Sequence, residues 1–151
     1  MALDLAAIRA AVESHALATG HLETSTGHEP ENAPGQGVTA AVWVDEVFPV
    51  RRRSGLNITS TCVVMQIRLQ TPVGGDEVDP LLLGAGDALM RAYSGDFDLG
   101  GTVSAVDLLG MAEGSPGLRG KAGYLSQDGA LYRVFVITLP LLVDDLFAQE
   151  A

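Results

Sequence analysis

The chain is short of several residue types, and each shortage closes off a class of protein. It has one cysteine, Cys62, so no internal disulfide can form. It has one lysine, Lys121, beside eight arginines. Nine basic residues face nineteen acidic ones, a formal charge of −10. That balance disfavours broad binding to phosphate backbones, because like charges repel within a Debye length. No long hydrophobic run is present. The longest, near Val134–Val143, is broken by Thr138 and Pro140, and a membrane helix needs about 20 apolar residues. The opening "MALDLAAIRA" has Asp4 and Arg9 where a signal peptide would have its apolar centre. A soluble protein made and used without secretion is the expectation.

What is present fits one folded domain, 1–151. Apolar residues make up 47% of 151, enough to exclude general disorder and to build a core. Leu5, Ile8, Val12 and Ala16 recur at helical spacing, which predicts a helix over 3–18. Residues 21–37, "HLETSTGHEPENAPGQG", are mostly polar with two prolines and three glycines, and read as a long mobile loop. Val38, Ala40, Val42, Val44 and Phe48 then alternate with Thr39, Ala41, Trp43 and Asp45, the pattern of a half-buried strand. Thr61, Val63, Met65, Ile67 and Leu69 alternate more cleanly in a second strand. The two form an antiparallel hairpin turning through Ser54-Gly55, and its tip carries Arg51, Arg52 and Arg53.

Asp79-Pro80 reads as an N-cap followed by proline at the first helical position, opening a second helix over 80–94. Asp87 and Arg91 form an i,i+4 pair on it. Gly84 and Gly86 each cost about 1 kcal/mol against alanine there, so close backbone packing is expected at them. "TVSAVDLLG" reads as a short strand over 102–109, and "MAEGSPGLRG" as a loop. "KAGYLSQDGALYRVFVITLPLLV" reads as a hairpin turning at Gln127-Asp128-Gly129, with its last strand over 131–139. The order gives an α+β fold: two helices on one face of a mainly antiparallel sheet with a long hairpin.

The last strand is apolar on both sides. Val134, Phe135, Val136, Ile137 and Leu139 follow one another, and Leu141, Leu142 and Val143 extend the run. Two helices cover one sheet face. The second needs another subunit, or loops 21–37 and 110–120. Phe135, Ile137, Leu139 and Leu141 are therefore candidate interface residues.

Chemistry is sparse. His15, His21 and His28 with Glu23 and Glu29 match no zinc spacing, and read as solvated loop residues. Cys62 has no histidine near it in sequence and reads as a small strand residue. Asp96, Asp98 and Asp107 could pair for acid–base work, but solvated turn carboxylates are the commoner case. The glycines at 84–86 and 99–101 lack the strand–turn–helix setting of a phosphate loop. No enzyme, metal or cofactor is expected. Arg51–Arg53 have three readings: a solvated charged turn, a grip on an acidic protein surface, or a phosphate contact. The last is weakest, since no aromatic residue is interleaved.

Taken together, "VDPLLLGAGDALMRAYSGD", "LGGTVSAVDLLG" and "LYRVFVITLPLLVDD", set behind an amphipathic helix and a long hairpin, resemble the tail terminator proteins of long non-contractile-tailed bacteriophages. The resemblance covers essentially the whole chain and rests on element order, not on a chemical motif. It implies an α+β subunit in a homohexameric ring. Such a ring caps the head-proximal end of the tail tube, stops tube polymerisation and meets the head–tail connector. The implied partners are other copies of the chain, the major tail tube protein and the connector protein, with DNA passing through the lumen and no membrane. A head-completion or connector protein of the same neck region is the first alternative, and a small acidic cytoplasmic binding domain or enzyme the second.

Overall fold

The computed structural model describes residues 4–18, 24–26, 38–50, 60–72, 78–96, 99, 103–112, 114–127 and 129–143. The elements in chain order are α1 (Leu5–Ala18), β1 (Thr24–Thr26), β2 (Thr39–Pro49), β3 (Thr61–Pro72), α2 (Val78–Gly95), β4 (Ala105–Val106), β5 (Arg119–Gln127) and β6 (Ala130–Val143). The fold is α+β. One six-stranded sheet runs β1-β2-β3-β6-β4, with β5 also on β6. Every pairing is antiparallel except β1 on β2.

The helices start where local chemistry allows. The Asp4 carboxylate accepts the Ala7 backbone N–H at 3.0 Å, an N-cap that satisfies one orphan donor of α1. The α2 helix begins at Val78 and runs to Gly95, slightly longer than its sequence span. Both helices pack on the same sheet face. Ile8, Val12 and Ala16 from α1 and Leu82, Ala85, Leu89 and Tyr93 from α2 are buried on Val63, Met65, Ile67 and Leu69 of β3 and on Ile137, Leu139 and Leu141 of β6. Burying each larger aliphatic chain here is worth about 1.5–3 kcal/mol. The Tyr93 hydroxyl donates to the Val12 carbonyl at 2.9 Å, tying the helices together inside this core.

The expected close approach in α2 occurs at Gly86 alone. A Cβ there would lie 2.6 Å from the Phe135 ring, whereas one on Gly84 would meet nothing within 4 Å. Gly120 of β5 repeats the arrangement: its Cβ would lie 2.3 Å from Phe135 Cζ. The Phe135 ring therefore lies close over two positions that admit no side chain.

Four details differ from the sequence reading. A bulge shifts the β2–β3 register between Val44 and Glu46, so Phe48 pairs with Cys62 and lies on the opposite face from Val42. The short strand expected over 102–109 contracts to Ala105–Val106, because the chain then turns onto the Asp107 carboxylate. The last strand also passes through Pro140 to Val143. The Pro140 carbonyl accepts from Asp107 N at 3.0 Å, so the proline nitrogen points to the β4 side, away from β3. Pro140 falls between Thr138, paired to Arg119 at the start of β5, and Leu141, paired to Val106 at the end of β4, where no ladder donor is needed. In the span read as a loop, Thr24–Thr26 pairs in parallel with β2. The rest of 21–37 lies outside the described residues.

Candidate interaction surface

Strand alternation and register define the sheet face opposite the helices, here called the outer face. Its first row is Thr39, Gln70, Val134 and Gly123, its second Ala41, Arg68, Val136 and Lys121, and its third Trp43, Gln66, Thr138 and Arg119. The β2–β3 side of this face is polar and internally bonded. Gln66 Nε2 donates to Asp45 at 3.3 Å, and the Thr138 hydroxyl donates to Gln66 Oε1 at 3.3 Å. Arg68 Nε donates to Gln70 Oε1 at 2.9 Å, and its guanidinium stands 5.6 Å from the Trp43 ring centroid.

The β5–β6 side is different. There an open groove of about 580 Å³ is lined by Arg119, Lys121, Gly123, Val134, Val136 and Thr138. Its floor is aliphatic. Its rim carries two exposed cations that have no ion-pair partner among the described residues.

One end of the outer face is closed by the chain itself. Val50, Cys62, Val64, Ala112 and Leu142 form a small second core, with Phe48 packed against it. The 107–117 loop supplies the cover. Asp107 is buried, and its two carboxylate oxygens accept the backbone N–H groups of Met111 at 2.8 Å and Ala112 at 3.0 Å. Leu118 N–H donates to the Leu108 carbonyl at 3.1 Å and closes the loop. Gly110 and Gly117 adopt φ of +70° and +79°, a region open to glycine at little cost. The held loop leaves Leu109 and Met111 each 83% exposed.

His15 falls within the helix expected over 3–18, and it is bonded, not left to solvent. It lies on α1, with Nδ1 2.9 Å from the Ala11 carbonyl and Nε2 2.7 Å from the Asp96 carboxylate. The pair joins α1 to the end of α2, and the imidazole lies 6.3 Å from the Tyr93 ring. Asp107 is likewise no solvated turn carboxylate, because it holds a loop. Cys62 is fully buried. Burial pushes its thiol up to about 11, with Asp107 and Glu46 adding to the rise and a hydrogen bond from Ser115 opposing it. A thiol in that state is a poor nucleophile at neutral pH. Burial also pushes the Tyr93 phenol above its ordinary value. Among the described residues no group of three or more His, Cys, Asp or Glu could hold a metal ion, and no helix is long and apolar enough to cross a membrane.

The candidate interface residues fare unevenly. Ile137, Leu139 and Leu141 are wholly buried under the helices, and Phe135 is half-buried between them and β5. Ile137, Leu139 and Leu141 are thus occupied within the subunit, and Phe135 keeps part of its surface. The strand does have a second apolar side, but it consists of Val134, Val136, Pro140 and Leu142. A run apolar at every position does not declare which side meets the helices. Arg51, Arg52 and Arg53 lie outside the described residues, as do His21, His28 and Asp98. The groove and the exposed Leu109 and Met111 were missed. The cue for the loop was "DLLGM", three large apolar residues around a glycine after an acid.

Comparison with known proteins adds no relative: no family model and no curated protein matches this chain.

Proposed function

We propose that this protein is a structural component of a bacteriophage virion. In this reading it forms a homohexameric ring at the head-proximal end of the tail, where it caps the tail tube, terminates tube polymerisation and joins the tail to the head–tail connector. It is assembled in the host cytoplasm. The observation that carries the reading is the uneven cover of the sheet. Both helices sit on one face, and the other retains an open aliphatic groove whose rim carries two exposed cations without ion-pair partners among the described residues. A surface of that kind in an acidic chain suits repeated contact with acidic protein, including its own copies. The resemblance in element order to tail terminators supplies the rest.

The charge suits such a ring. Six copies, each at −10, carry about −60 together, and a lumen of that sign lets DNA pass without adhering. Arg51–Arg53 are proposed to contact acidic groups on a neighbour or on the tube. The test is tube polymerisation followed by electron microscopy. Added protein should shorten the tubes and label one end of each. Unchanged tube lengths with no bound protein, at concentrations where the chain is oligomeric, would refute the terminator reading.

A further inference from the structure

Two features of this chain match in chemistry, and neither is covered by another described residue. One is the apolar pair Leu109 and Met111, 83% exposed on a loop fixed by Asp107. The other is the β5–β6 groove of about 580 Å³, floored by Val134 and Val136. We propose that Leu109 and Met111 of one copy dock into the β5–β6 groove of the next, in a head-to-tail contact that repeats around the assembly. This rests on the ring reading above and names its interface.

The loop is ordered before it docks. A Cβ on Gly110 would lie 3.0 Å from the Ser115 carbonyl, Ser115 N–H donates to the Ala112 carbonyl at 3.0 Å, and Asp107 grips two amides. Little conformational freedom is therefore left to lose on binding. Met111 is of a type enriched in interface cores, and a side chain seated in a desolvated pocket is where interface binding energy concentrates. Finally, the groove rim carries Arg119 and Lys121, exposed and without ion-pair partners among the described residues. They place positive charge where a copy bearing −10 must approach. Since knob and groove are different patches of one chain, the contact is heterologous and propagates until the ring closes.

The test uses two variants and their mixture, read by native mass spectrometry. Leu109→Asp with Met111→Asp removes the knob at exposed positions. Gly123→Trp fills the groove, where a Cβ meets only Val134 Cγ2, at an ordinary 3.6 Å. Circular dichroism melts report whether each variant folds. Arg119→Asp with Lys121→Asp, both on exposed side chains, is a second groove variant if Gly123→Trp does not fold. Each variant alone should need at least tenfold more protein than the parent to assemble. A one-to-one mixture of knob and groove variants should form heterodimers and stop there, because the one intact knob and the one intact groove are used in that contact and only a mutated knob and a filled groove are left. Parent-like rings from either variant, or a mixture that stays monomeric, would overturn this interface while leaving the ring reading intact. A parent that never assembles would overturn both.

Discussion

Replacing Asp107 tests whether one buried carboxylate holds the outer loop. The Ala112 amide it binds is buried, and the Met111 amide is partly buried. Asp107→Ala orphans both donors. A buried unsatisfied N–H costs about 1–3 kcal/mol, while a partly solvated one recovers water and costs nearer 1 kcal/mol. The sum is about 2–4 kcal/mol, before any loosening of the second core that Ala112 helps to seal. For a chain of this length each kcal/mol lowers Tm by about 2–4 °C, so a fall on the order of 10 °C is expected. Asp107→Asn keeps one acceptor oxygen and turns an NH₂ toward the second amide, so it should lose roughly half as much as alanine. Urea melts measure the free energies. Amide exchange measures the cause: Met111 and Ala112 should lose protection in the alanine variant while residues of β3 exchange as in the parent. An alanine variant within 0.5 kcal/mol of the parent would refute the reasoning.

Four further outcomes follow. Gly120→Ala drives a Cβ into the Phe135 ring and should destabilise by about 1–3 kcal/mol, with Phe135→Leu in the same chain recovering part of the loss in a double-mutant cycle. Thr61→Val removes a buried hydroxyl that has no partner and should stabilise by about 1 kcal/mol in a thermal melt. Cys62 should resist a thiol reagent at pH 8 until urea unfolds the chain, and fast labelling of the native state would contradict its burial. Because the folded thiol ionises near 11 against an ordinary 9.0, its contribution to stability is fully present below pH 9 and is lost as pH rises toward 11. Cys62→Ser should flatten that part of the alkaline stability profile.

Much of the fold was legible because periodicity is a strong signal where one face is buried. The β3 alternation from Thr61 to Leu69, the i,i+4 pair of Asp87 and Arg91, now 3.1 Å apart, and the turn before Gly129, at φ +77°, follow from local chemistry. The bulge at Asp45 was not legible, since "VWVDEVF" offers apolar residues on either parity. The last strand, expected to stop at Leu139, continues because the donor that Pro140 lacks would face the gap between β5 and β4. The parity of β6 was hidden because it is apolar at nearly every position. Tertiary partners decided the site. Nothing near Asp107 in sequence announces that its carboxylate turns back onto the amides of Met111 and Ala112, and the groove exists only where β5 lies beside β6.

The measurement that bears most directly on the account is the mass of the assembled protein by native mass spectrometry, across protein concentration and salt. Each copy carries −10, so added salt screens the repulsion between copies. The account predicts a closed six-membered species that grows with concentration and with ionic strength. A strictly monomeric protein at high concentration and high salt would contradict it.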